Sequence, residues 1–131
     1  MSGKIKGFLL RVYDDVTSKE VEFEETLENI YKLLSVETID VTMRKIGSYV
    51  YDVVCDDEGL FVQDCLPNAI DSNGKPQLVG NLLLVNHDGE GNFASLTEEQ
   101  IQELKEKTVV CCPTWNGKPH IYRALKEVDY V

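Results

Sequence analysis

The sequence predicts an α+β fold: a largely antiparallel sheet with two helices packed on it, a single compact domain spanning residues 1–131. Three observations predict it. Several segments carry apolar residues at period two, as half-buried strands require, and two others carry them at helical spacing. Most neighbouring segments are joined by turns too short for parallel crossovers, which favours antiparallel pairing. The order is roughly ββαβββ, an irregular loop, βα and a closing ββ.

KIKGFLLRVY, residues 4–13, places Phe8, Leu10 and Val12 on one face of a strand, and KEVEFE alternates charge with Val21 and Phe23, so the two form an opening hairpin around Asp14-Asp15. In ETLENIYKLL, Leu27, Ile30, Tyr31 and Leu34 share a helical face, Thr26 is the N-cap and acids crowd the positive end of the helix dipole. TIDVTMRKI and YVYDVVC flank Gly47-Ser48, a Gly-x link that signals a type II′ hairpin. In that register paired positions sum to 95, which sets Asp52 opposite Met43 on the apolar side. A buried carboxylate is costly, so the expectation is a loop one residue longer, or a rim position for Asp52 near Lys45.

CDDEGLFVQDC reads as an acidic turn and a short strand, LPNAIDSNGKP as irregular loop, and QLVGNLLLVN as one central strand, apolar on both faces, with Gly80 at a bulge. Thr97 and Gln100 form a capping box, and Leu96 with Ile101 a hydrophobic staple, so a second helix starts there. Asn116-Gly117 between two β-prone runs predicts a closing hairpin over about residues 108–125, with Pro113 and Pro119 marking an exposed edge.

The chain carries 23 acids against 13 bases, a net charge of −10, which argues against direct nucleic-acid binding by phosphate neutralisation. The charge is uneven: Asp14 to Glu28 holds seven acids and one base, and Asp52 to Asp71 six acids and no base. No run is apolar for the ~18 residues a membrane span needs, and no segment has signal-peptide character. Cys55, Cys65, Cys111 and Cys112 include no C-x-x-C pair, which favours reduced thiols and a cytoplasmic location over disulfides or a zinc site with His87 or His120. Asp88, Glu90 and Asn92 stand at positions 1, 3 and 5 of a calcium loop and Glu99 at 12, but Phe93 occupies the position that requires glycine, so neither metal nor cofactor is expected. His87 and His120 lack a recognisable nucleophile setting and no glycine cluster fits a phosphate loop, so an enzyme is not expected either.

VVCDDEGLF, LPNAID and GKPQLVGNLLLVNHDGEGNFASLTEEQ together resemble the family catalogued as domain of unknown function 3846, met in phages, plasmids and conjugative elements of gut bacteria. The likeness covers about residues 5–104 and leaves the closing hairpin outside. It implies a small α+β protein among the accessory genes of mobile DNA, which often antagonise host defences or regulate transfer; it carries over no catalytic residue.

The expected function is therefore a non-enzymatic, anti-defence type of interaction or inhibitor module. Its carboxylates Asp56, Asp57, Glu58 and Asp64, with Glu22, Glu24 and Glu25 as a second cluster, would meet the cationic groove of a nucleic-acid-handling protein. The alternative is a protein that binds or sequesters a signal nucleotide in a pocket of Tyr49, Tyr51, Trp115 and Tyr122 with Arg44, Lys45 or Arg123 on its phosphates. An exposed edge in the closing hairpin also suits a strand-paired homodimer.

Overall fold

A computed structural model describes residues 3–13, 15–56 and 66–131. The strands are β1 (Lys4–Arg11), β2 (Thr17–Glu24), β3 (Ile39–Ile46), β4 (Tyr49–Asp56), β5 (Pro67–Ile70), β6 (Pro76–Val79), β7 (Leu82–His87), β8 (Phe93–Ala94), β9 (Thr108–Cys111), β10 (Thr114–Trp115), β11 (Lys118–Pro119), β12 (Tyr122–Leu125) and β13 (Val128–Asp129); the helices are α1 (Leu27–Leu34) and α2 (Glu98–Glu106). The larger sheet runs β13-β3-β4-β7-β1-β2, with β8 hydrogen-bonded to β7, and every pairing in it is antiparallel. A second sheet runs β6-β5-β12-β9, where β12 meets β5 in parallel. The fold is α+β, as the alternation of periods predicts.

β7 is buried on both faces, and the residues on each face select what covers it. Leu83 and Val85 join Leu9, Val54 and Phe23 under Ile30 and Leu34 of α1. Leu82 and Leu84 join Phe8, Leu10, Tyr51 and Val53 under Leu96, Ile101 and Leu104, with Ala69 and Leu125 of the second sheet. The larger sheet thus has α1 on one side and α2 plus the smaller sheet on the other.

The local signals work as their chemistry requires. Thr26 accepts from the Asn29 backbone, and α1 ends at Ser35 in the left-handed conformation. The Thr97–Gln100 capping box is complete in both directions, and Leu96 and Ile101 are buried beside it. Gly47 alone is left-handed in the β3–β4 turn, consistent with type II′, whereas Asn116 and Gly117 are both left-handed, as a type I′ turn demands. The closing hairpin keeps one register from Thr108↔Leu125 out to Trp115↔Lys118.

Four expectations change. Residues 66–76 are not irregular: Asp71 accepts from the backbone N–H of Asn73 and Lys75, both at 2.9 Å, and closes a β5–β6 hairpin. Residues 77–86 are not one strand, because Gly80, at φ +80°, turns the chain from β6 in one sheet to β7 in the other. Phe93-Ala94 folds back on β7 before the second helix, and Val128-Asp129 pairs with the free edge of β3 at Ile46 and Lys45. The strand expected after Asp56 lies outside the described residues.

Asn81 links three elements at the switch between sheets. Its Oδ1 accepts from Val12 N at 2.8 Å and its Nδ2 donates to Leu34 O, at the end of α1, at 2.9 Å. Asn81→Ala strands both buried backbone groups and is expected to cost about 2–4 kcal/mol, read as a lower urea midpoint at unchanged slope.

Asp71, Asp88, Glu127 and Asp129 are all held below the usual carboxylate range. The causes are backbone N–H of Lys75 for Asp71, backbone N–H of Asn92 and Glu90 for Asp88, the Lys107 ammonium for Glu127 and the hydroxyl and N–H of Ser72 for Asp129. A lowered folded pKa contributes stability that is present above the unfolded value and lost as pH falls through the folded one. Thermal melts should therefore hold near neutrality and decline below about pH 4, with a shallower decline for Asp71→Asn combined with Asp129→Asn.

Candidate functional site

The most strongly charged described surface follows from the helical period of α2. Ile101 and Leu104 point into the core, which turns Glu98, Glu99, Gln102 and Glu106 outward and places Glu103 on one flank. Glu103 fixes the adjacent β3–β4 turn: its carboxylate accepts from Ser48 N and fills the space that a side chain at Gly47 would need. These residues and Tyr49 line a shallow groove of about 470 Å³ whose only ionisable neighbours in the lining are acids and a tyrosine.

The acidic surface continues onto β2 through Lys6. That ammonium lies 3.4 Å from Glu98 and 4.0 Å from Glu20, and the hydrogen bond to Glu98 together with the charges of Glu98, Glu20 and Glu22 holds its pKa above the ordinary value. Glu22 stands opposite Lys6 and Glu24 opposite Lys4 in the β1–β2 register, both exposed. Glu25, at the corner before α1, accepts from Phe93 N at 3.3 Å.

The sequence-predicted acids do not converge. Asp56 ends β4 opposite Ile39, whereas Glu22 and Glu24 lie toward the other end of β2, three strands away. Strand spacing and rise put these corners on the order of 25 Å apart. Asp57, Glu58 and Asp64 lie outside the described residues. The acids of α2 that join Glu22 and Glu24 were not among the expected contact residues; the sequence reading weighed only Glu99, as position 12 of a calcium loop.

The expected aromatic pocket divides in two. Tyr51 is buried, which pushes its phenol well above the usual range, and it meets Tyr49 edge-on at 6.4 Å. On the same hairpin Arg44 stacks 4.5 Å from the centre of the Tyr130 ring, and Lys45 projects from the opposite sheet face. Trp115 belongs to a separate cluster in the closing hairpin, 4.7 Å from His120 and 5.5 Å from Tyr13. Tyr122, its phenol pushed up to about 12 by burial and by the nearby Cys111 thiol, donates to Pro67 O. Arg123, next to it, is exposed.

The turn after β7 uses its carboxylate on its own backbone. Asp88 Oδ1 accepts from Glu90 N at 2.8 Å and Asn92 N at 3.0 Å, so those residues turn donors toward it, the opposite of cation coordination. Among the described residues no group of three histidine, cysteine or acidic side chains is placed to hold a metal.

The register arithmetic for β3 and β4 holds over the whole pair, and the rim position expected for Asp52 does not. Met43 faces Asp52, which is only 8% exposed, and it is Met43 that is open to solvent. Burial is possible because His87, one strand over, places Nδ1 3.1 Å and 3.2 Å from the two carboxylate oxygens. The same face carries exposed Val41, Met43 and Val50 beyond the reach of the short α1. A carboxylate that orients a histidine is half of a base–nucleophile arrangement, but among the described residues no hydroxyl or thiol is hydrogen-bonded to that ring. The sum-of-95 register and the alternation of faces were the signals that could have located the pair.

His87→Ala should leave Asp52 almost buried without a partner and cost about 1–3 kcal/mol in urea unfolding at neutral pH. Asp52→Leu, packed beside Met43 and Val85, should cost less, and adding His87→Ala to it should change little, since the removed charge no longer needs a partner.

A family model described as a domain of unknown function (DUF3846) matches residues 5–108, well over half of the 131-residue chain. No curated protein and no solved structure is significantly similar to it. The chain belongs to the DUF3846 family, and the closing hairpin beyond Thr108 lies outside the matched region.

Proposed function

We propose that this member of a family of unknown function is a non-enzymatic interaction protein, an accessory or inhibitor module whose acidic surface docks on the cationic groove of a nucleic-acid-handling or defence protein. The observation that carries the reading is the α2 groove. Glu98, Glu99, Glu103 and Glu106 stand on one helix beside the exposed ring of Tyr49, continuous through Lys6 with the acids of β2. Carboxylates around an aromatic face suit the lysines and arginines that otherwise hold phosphates, by ion pairing and by cation–π contact. Opposite fields also steer the encounter, at a rate that falls as salt rises.

The helix is well suited to this use because its inner face and both ends are fixed. Its N-terminus is closed by the capping box, and Glu103 is tied to the β3–β4 turn. A partner therefore meets a helix whose backbone is already fixed. The phage and mobile-element setting that the sequence resemblance implies makes a DNA-handling host protein the natural target.

A labelled arginine-rich peptide should bind the wild-type chain with an affinity that drops as salt is raised, while labelled duplex DNA does not bind. Glu99→Lys combined with Glu106→Lys should weaken the peptide by about tenfold or more, with the fold checked by circular dichroism, and Glu28→Lys on α1 should not. Equal peptide binding by the α2 variant and the wild type would remove the reading.

A further inference from the structure

A second cleft has the opposite character. It lies where the start of β2, the end of α2 and the outer face of the closing hairpin meet, with a volume of about 560 Å³, within the range of small-molecule sites. Its lining contains Lys105 and Arg123 and no carboxylate, in a chain of net charge −10. Three of the chain's exposed large apolar side chains converge on it: Val16, Val110 and Ile121, the last two 64% and 65% exposed. Ser18, opposite Leu10 in the β1–β2 register, adds a hydroxyl at one wall, and the buried Tyr122 lines another.

The bases are uncommitted. The chain has three arginines, at 11, 44 and 123. Arg11 donates to Leu33 O and Ser35 Oγ, and Arg44 to Thr42 Oγ1 and Met43 O while stacking on Tyr130. The Arg123 backbone is paired in the β12–β9 ladder, but neither its guanidinium nor the Lys105 ammonium makes an ion pair or hydrogen bond among the described residues. Thr108 Oγ1 already donates to Lys105 O, which leaves Ser18 as the hydroxyl donor on this face of β2.

Register explains why these groups share one surface. Val110 pairs with Arg123, and Cys111 with Tyr122, so Val110, Arg123 and Ile121 alternate with the buried Tyr122 and Ala124 and stand on the outer face. On α2, Lys105 follows the buried Leu104 and sits on the flank opposite Glu103, which directs it away from the acidic groove.

We infer that this cleft binds a small organic phosphate: the guanidinium and ammonium take the phosphate, the Ser18 hydroxyl donates to one of its oxygens, and Val16, Val110 and Ile121 cover its apolar part. Arginine suits the anion because its fork bonds two phosphate oxygens at once. The apolar side chains set the ligand apart from inorganic phosphate, since they contribute only if an apolar group accompanies the charge.

Phenyl phosphate is the simplest probe of both halves. Titrated into the ¹⁵N-labelled full chain and followed by NMR, it should give saturable amide shifts at Thr17, Ser18, Val110 and Arg123. Inorganic phosphate and phenol, each testing one half, should both bind at least about tenfold more weakly. Arg123→Gln with Lys105→Gln, two exposed and unpartnered positions, should lower affinity by about tenfold or more at an unchanged spectrum elsewhere. Val110→Ser with Ile121→Ser should bring phenyl phosphate down to the level of inorganic phosphate. Glu99→Lys with Glu106→Lys should leave the site intact, which separates its failure from that of the acidic groove. Absence of saturable shifts at these amides, shifts spread equally over other lysines, or undiminished binding by the Arg123/Lys105 variant would each overturn the inference.

Discussion

The structure depends on covering β7 from both sides. Leu82, Leu83, Leu84 and Val85 are all fully buried, with successive side chains on opposite sheet faces. Burying each such side chain is worth roughly 1.5–3 kcal/mol, so neither face can be left to solvent. α1 with Phe23 covers one face, and α2 with the smaller sheet covers the other. β5, β12 and the closing hairpin complete the second cover.

That constraint determines which chemistry reaches the surface. Gln100, Ile101 and Leu104 face β7's side of the sheet, so Glu98, Glu99, Gln102, Lys105 and Glu106 are outward by geometry, and most of these are acids. Glu98 and Glu99 sit in the first turn, where carboxylates are favoured by the helix dipole, and Lys105 sits in the last, where a cation is. On the other side, α1 is only eight residues long and stops short of the β3–β4 hairpin. The uncovered sheet there shows Val41, Met43 and Val50 and tolerates Asp52 because His87 is within hydrogen-bond reach.

What was legible in the sequence was whatever a short span of residues decides. The opening, β3–β4 and closing hairpins, both N-caps and the staple depend on adjacent residues, and each is where the pattern puts it. Elements that depend on a distant partner were not legible. Residues 76–79 and 82–87 read as one strand because both halves are apolar, and only the separate second sheet makes Gly80 a corner rather than a bulge. The β13 strand has two residues and exists because the β3 edge is there to receive it. Asp52 failed differently: the register was read correctly, then set aside because a buried carboxylate is costly, and the compensating histidine lies 35 residues away. The acids of α2 were not among the expected contact residues, because their union with β2 runs through Lys6, 92 residues from Glu98.

The two charged surfaces share α2, which bounds how far each can affect the other. Glu98 and Lys105 are seven positions apart, about 10 Å along the axis at 1.5 Å per residue. The Debye length at physiological salt is about 8 Å, so exposed charges at that separation are largely screened. Glu106 of the groove is the chain neighbour of Lys105 and lies within that length, so a cationic partner on the groove and an anion in the cleft would attract each other, more strongly as salt falls. The helix serves as a partition: its buried stripe fixes the orientation, Glu103 on one flank holds the acidic groove against the β3–β4 turn, and Lys105 on the other faces the closing hairpin. Surfaces of opposite sign can persist this close on so small a domain because each is pinned by packing rather than by the charge of the other.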